Sequence, residues 1–193
     1  DRDLFGYMKG IKNIKIIYLH AREIIERLGD GSLDIGFSGY DLLKESELNI
    51  QNKVNISKKL EYGHATLVLA VPDEWIDIQT LADLEEISFD FKDKKKSRMR
   101  VATKYPNLTR EFLFSKGVTQ FKLVPSLGAT EVYPFTGSSE ILSDITSTGE
   151  TLLANNLRVL KDGNILKSTA ILMSNKKLSN KKGLKKILNL LSS

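Results

Sequence analysis

Cysteine is absent from this chain, and histidine occurs only as His20 and His64. Without thiols there is no disulfide, no thiolate metal site and no cysteine nucleophile, a usage that fits the reducing cytoplasm. Two histidines cannot build a histidine-rich metal site, and both lie outside the loop segments discussed below, so they read as structural or surface residues. No stretch approaches the roughly 18 consecutive apolar residues of a membrane helix, and the opening DRDLFGYMKG lacks the apolar centre of a signal peptide, so no membrane partner is expected. The basic run DFKDKKKSRMR (90–100) lacks interleaved aromatics, which argues against a nucleic-acid platform, and reads as a solvated loop. The 193 residues are 41% hydrophobic, enough for one good core or two small ones, and the net charge of +5 suits an anionic ligand as well as a lysine-rich surface.

Strand and helix signals alternate along the chain. KIIYLH (15–20) is a β-branched run, followed by AREIIERLGDG (21–31) with Ile24, Ile25 and Leu28 on one helical face before glycines. A buried strand over 33–37 then meets a Ser-Gly turn and a helix entered near Asp41. HATLVLAVP (64–72) is a strand, and a turn and short helix are expected up to Leu84. RVATKYP (100–106) is a strand, NLTREFLFSKG (107–117) a helix capped by Asn107, and FKLVPS (121–126) a strand. A short helix follows in ATEVYPFTG, then a strand ILSDIT (141–146), a helix TLLANNL (151–157), one last strand over 165–174 and a basic amphipathic tail helix, GLKKILNLLSS. The alternation predicts an α/β fold with mostly parallel sheets.

Open α/β sheets bind ligands where strand gives way to helix, and SDITSTGETL (143–152) sits at such an edge. Gly149 permits close approach and positive φ, while Ser147, Thr148 and Thr151 offer hydroxyl donors beside the amides of the next helix. Those are the parts of a phosphate cradle, though such clusters also make plain helix caps. Asp144, with Glu140 four residues before it, supplies acceptors suited to a vicinal diol. A phosphate beside a diol describes ribose 5-phosphate.

RVATKYPNLTREFL, GATEVYP and SEILSDITSTGETLLANNL resemble, in order and spacing, the catalytic chain of the ATP phosphoribosyltransferase family, which begins histidine biosynthesis. LDIGFSGYDLL resembles that family's Asp-Leu-Gly-Ile-x-Gly-x-Asp turn and YGHATLVLAVP its domain-crossing strand, so the resemblance spans about residues 1–175. It implies a two-lobed architecture of the type II periplasmic-binding-protein kind with the active site between the lobes. Residues 1–74 and 166–193 would form the first lobe and 75–165 the second. Ser147, Thr148, Gly149, Glu150 and Thr151 would hold the 5-phosphate of phosphoribosyl pyrophosphate, with Asp144 and Glu140 as catalytic carboxylates near the ribose hydroxyls. Arg100, Thr103, Lys104, Tyr105 and Ser38 are the candidates for the cleft and ATP.

The implied reaction is a pentosyl transfer in the cytoplasm, in which N1 of ATP displaces pyrophosphate with Mg²⁺ on the leaving group. The implied assembly is a homo-oligomer or a complex with a regulatory subunit. This sequence departs from the family pattern in carrying Glu140 where aspartate is usual and Thr146 where an apolar residue is usual. The family's first strand with its Pro-Lys-Gly-Arg-like turn and its C-terminal regulatory domain are not in the sequence, so it reads as a fragment or a short form. The competing reading is a non-catalytic solute-binding or effector-sensing domain of the same two-lobed architecture.

Overall fold

The computed structural model describes residues 5–7, 14–177 and 182–192. The remaining residues of the opening DRDLFGYMKG and the final serine of the tail segment lie outside the described residues. Two compact units divide the chain: residues up to Leu60 together with those from Ala170 onward, and Glu61–Thr169. The lobe boundaries expected at 74/75 and 165/166 differ from this division, because the strand over Ala65–Pro72 pairs entirely within the second unit.

In the first unit β1 (Phe5–Tyr7) and β2 (Lys15–Ile17) form an antiparallel pair. Helix α1 (Ala21–Asp30) starts at His20, whose Nδ1 accepts the Arg22 N–H at 3.4 Å, and stops at Gly31 with φ of 87°. Its apolar face, Ile25 and Leu28, is buried in a core shared with Leu43, Val54, Ile171 and Met173. Strand β3 (Ile35–Gly39) can lie close under α1 because Gly36 has no side chain: a Cβ there would stand 2.6 Å from Ile24 Cγ2. Helix α2 (Tyr40–Glu45) follows, and then α3 (Leu48–Gln51) and β4 (Val54–Lys59), two elements that sequence patterning did not bring out.

The second unit begins with β5 (Ala65–Pro72), whose residues from Leu67 to Pro72 are all buried, as a continuous apolar run at the middle of a sheet should be. Helix α4 (Leu81–Lys95) opens with a capping box between Thr80 and Asp83. It runs well past Leu84 and takes in most of the charged segment expected to be a loop. Leu81, Leu84, Ser88 and Phe91 continue one buried face, Lys95 Nζ lies 3.9 Å above the Phe91 ring, and Lys94 pairs with Asp90 at 2.6 Å. After β6 (Met99–Thr103), helix α5 (Pro106–Ser115) begins with Pro106 in its first turn and Tyr105 at the cap position, rather than at Asn107.

Strand β7 (Phe121–Pro125), a single 3₁₀ turn (Thr130–Val132), β8 (Ile141–Thr146), α6 (Glu150–Ala154) and β9 (Leu157–Ser168) complete the unit. The expected last strand is two: β9 ends at Ser168, and β10 (Ala170–Asn175) returns to the first unit, followed by the tail helix α7 (Lys182–Ser192). Strand order is β3-β10-β4 in the first unit and β7-β6-β8-β5-β9 in the second.

The fold is α/β, but its sheets are not mostly parallel. Only the β6–β7 and β6–β8 pairs are parallel among the described residues, and β10 pairs antiparallel with both its neighbours, as β5 does with β8 and β9. In the second unit α4 and α5 cover one face through Leu69, Val71, Leu84, Val101, Leu113 and Ile141. The other face carries Val68, Ala70, Ala102 and Leu142 against Leu152 of α6 and Tyr133.

Candidate active site

The parallel strands β6, β7 and β8 end together, with Thr103 opposite both Pro125 and Ser143. At this carboxyl edge lies a cavity of about 200 Å³ lined by Glu131, Asp144, Ile145, Thr146, Ser147, Thr148, Thr151 and Leu152. One loop therefore supplies most of the wall. Gly149 adopts φ of 81°, which turns the chain from β8 into α6. Thr146 Oγ1 accepts the Gly149 N–H at 2.9 Å, so the threonine that departs from the family pattern pins the turn. Thr148 Oγ1 accepts the Glu150 N–H at 3.4 Å. Ser147, Thr148 and Thr151 are exposed, with hydroxyls accessible to a ligand. Helix α6 spans only five residues and not the expected 151–157, so its dipole adds little.

Asp144 is held where β8 meets the cavity. Its Oδ1 accepts the adjacent Ile145 N–H at 2.8 Å, and its Oδ2 stands 3.8 Å from Lys104 Nζ. Lys104 follows directly on β6, so the two side chains leave neighbouring strands on the same face. Below them the opposite face is fixed by buried hydroxyls: Thr109 Oγ1 of α5 donates to Ser143 Oγ at 3.0 Å and lies 3.2 Å from Thr103 Oγ1, which accepts the Tyr105 N–H at 2.9 Å. Thr103 and Tyr105, both candidates for the cleft, are buried in this support.

Glu140 and Arg100 are placed elsewhere. They sit at the amino ends of β8 and β6, opposite the cavity, where the guanidinium meets the carboxylate at 2.6 Å and the Arg100 N–H donates to Glu140 Oε2 at 2.5 Å. Burial pushes the Glu140 carboxyl up, but its hydrogen bonds to the Arg100 side chain and backbone and the guanidinium charge hold it, on balance, below the ordinary value. Four residues of extended strand, roughly 13 Å, separate Glu140 from Asp144. The pairing of these carboxylates expected from sequence is thus corrected: the second carboxylate at the cavity is Glu131, on the 3₁₀ turn, with Thr130 Oγ1 and Ser126 Oγ 2.9 Å apart closing the loop before it. Its signal was present as the first residue of Glu-Val-Tyr-Pro. Ser38 belongs to the first unit, where its hydroxyl donates to the Ala21 carbonyl at 2.8 Å.

The sequence pattern of the HisG, or ATP phosphoribosyltransferase, family matches residues 20–193. The chain belongs to the ATP phosphoribosyltransferase family. It is 44% identical over 175 residues to the ATP phosphoribosyltransferase of Bradyrhizobium diazoefficiens, an alignment covering 91% of this chain and 54% of that one. The chain therefore spans about half the length of such curated relatives. Among solved structures it resembles the ATP phosphoribosyl transferase (HisG:HisZ) complex of Thermotoga maritima, with a TM-score of 0.73 and 26% identity over 97% of this chain and 84% of that one. A probable amino-acid ABC transporter extracellular-binding protein of Bacillus subtilis, ytmK, matches with a TM-score of 0.52 at 15% identity, covering 89% of this chain and 72% of that one. That second likeness places this ATP phosphoribosyltransferase-family chain in the two-lobed binding-protein architecture and concerns fold alone.

Proposed function

We propose that the cavity at the end of β8 holds the ribose 5-phosphate part of phosphoribosyl pyrophosphate, and that the chain transfers this group to N1 of ATP with release of pyrophosphate. The observation that carries the reading is the meeting, in one cavity of a family member, of the Thr146–Thr151 hydroxyls with two carboxylates, Asp144 and Glu131. Ser147, Thr148 and Thr151 donate hydroxyl hydrogen bonds to the phosphate, and Gly149 and Glu150 shape the loop around it. Asp144 and Glu131 accept from the ribose hydroxyls. Asp144 also favours the positive charge that develops on the ring as the bond to pyrophosphate breaks, and N1 attacks through its lone pair, so no side chain need remove a proton.

The donor set also fits Mg²⁺. That ion takes one or two protein carboxylates and otherwise binds phosphate and water, and the cavity wall carries two carboxylates, Glu131 and Asp144. Glu131 and Asp144 are the residues that would hold it, and its chemistry there would be neutralisation of the leaving pyrophosphate. A regulatory subunit or a second copy as partner, and a cytoplasmic location, accord with the family; among the described residues no helix is long and apolar enough to cross a membrane.

The test is pyrophosphate release from phosphoribosyl pyrophosphate by the purified chain. The reading requires release that depends on ATP, and release at the same rate without ATP would count against the transfer. Thr148→Ala removes one phosphate donor and is expected to weaken phosphoribosyl pyrophosphate binding by about tenfold. Calorimetric titration checks this, and unchanged affinity would exclude the loop assignment.

A further inference from the structure

Asp144 and Glu131 reach the cavity from separate parts of the chain, yet each directly follows a buried hydroxyl residue, Ser143 on β8 and Thr130 on the 3₁₀ turn. Those two residues belong to one continuous run of hydrogen bonds. Thr109 Oγ1, from α5, donates to Ser143 Oγ at 3.0 Å, which leaves Thr103 to donate across its 3.2 Å contact with Thr109. The Thr103 carbonyl accepts the Ser126 N–H at 3.0 Å, and Ser126 Oγ and Thr130 Oγ1 lie 2.9 Å apart. Thr103 is thus the link: its hydroxyl leads to the residue before Asp144, and its carbonyl to the residue before Glu131. All five side chains are at most 5% exposed and stand behind the cavity wall rather than on it. Buried hydroxyls cost more to desolvate than apolar side chains, but once paired they fix both distance and direction, where apolar packing would let the two connections slide.

We propose that this buried hydroxyl chain is a positioning device that sets the separation of Asp144 and Glu131 for a divalent cation. This rests on the reading of the cavity given above. Thr109 carries the arm that ends at Asp144, and Thr130 the arm that ends at Glu131; neither supplies an atom to the ligand. The sugar is the less demanding guest, because a ribose hydroxyl can rotate to follow a carboxylate that shifts slightly. Mg²⁺ is the stricter one, since it requires its oxygens at about 2.0–2.1 Å in near-octahedral geometry. Loosening either arm therefore falls on the cation before it falls on the sugar or its phosphate.

The test is calorimetric titration of the whole chain with phosphoribosyl pyrophosphate, once with saturating Mg²⁺ and once with a chelator. The original chain should bind more tightly with Mg²⁺. Thr109→Val and Thr130→Val, which remove a hydroxyl and keep the shape, should each lose about fivefold or more of that gain while staying within about twofold of the original affinity in chelator. Thr109→Ser and Thr130→Ser, which keep the hydroxyl, should recover the gain to within about twofold. Ser143→Ala and Ser126→Ala break the same two links by removing a single oxygen and should reproduce the loss, so the test survives a valine variant that does not fold. Urea unfolding of each variant gives the stability change, and a merely structural role would move the urea midpoint and leave the Mg²⁺ gain untouched. Variants that keep the full gain, or that lose affinity equally with and without Mg²⁺, overturn the positioning role. An original chain that binds equally well in both conditions overturns this proposal and leaves the cavity reading standing. A folded chain that binds in neither condition overturns both.

Discussion

Replacing Asp144 by asparagine is expected to lower turnover about 100-fold while changing phosphoribosyl pyrophosphate affinity far less. The expectation follows from how the carboxylate is held. It is mostly buried, and one oxygen is fixed by the Ile145 N–H at 2.8 Å, so its charge does not need to reorient as the ring becomes positive. Asparagine keeps the shape and the capacity to accept from a ribose hydroxyl but removes the charge, and preorganised electrostatic groups of this kind are worth about 10²–10³ in rate. Separate measurement of kcat and of the dissociation constant decides the matter. Equal losses in both would reduce Asp144 to a holder of the sugar.

Arg100→Met has the second large effect, and it falls on stability. It leaves the Glu140 carboxylate, 16% exposed, with its backbone donor and only the weaker field of Lys95 in place of its paired guanidinium, which should cost about 2 kcal/mol; the partial exposure of Arg100 and the remaining Lys95 charge place this at the lower end for breaking an ion pair. Phosphoribosyl pyrophosphate affinity should not change, since the pair stands at the far end of the strands from the cavity. The sign of the pH effect follows from the depressed Glu140 carboxyl. Its contribution is complete above the ordinary value of 4.5 and disappears as pH falls through the lower folded-state value. Urea unfolding at neutral pH and near pH 3 should therefore show a smaller difference between the original chain and Arg100→Met in acid. An affinity loss in Arg100→Met that matched its stability loss would return Glu140 to the ligand site.

What could be read from sequence was local. The cap and glycine stop around α1, the apolar run of β5 and the turn chemistry of the Ser147–Gly149 loop each follow from residues within a few positions of one another. Strand direction was not legible, because β5 owes its antiparallel course to pairing with β8 and β9, which lie far along the chain, and an apolar run looks the same either way. The same is true of the break at Thr169: ILKSTAILMS reads as one strand, yet β9 and β10 belong to sheets in different units. Helix α4 was cut short because Lys92, Lys94 and Lys95 obscured Ser88 and Phe91, the buried residues that continue its face past Leu84.

At the candidate site the same limit applies. Hydroxyls and the glycine of one contiguous loop announced themselves. Glu140 was chosen for its nearness in sequence to Asp144, whereas extended strand carries the two to opposite edges of the sheet. Glu131 reaches the cavity from a different turn, brought there by the β7 to β8 connection, and no spacing rule within the loop could place it. Lys104 and Asp144 meet only because β6 and β8 run parallel in register at Thr103 and Ser143.

The most direct measurement is calorimetric titration of the folded chain with phosphoribosyl pyrophosphate in the presence of Mg²⁺. The account predicts saturable binding at one site per chain, weakened about tenfold by Thr148→Ala and left intact by Arg100→Met. Absence of saturable binding by the folded chain, or binding indifferent to Thr148, would contradict the assignment of the cavity to the ribose 5-phosphate group.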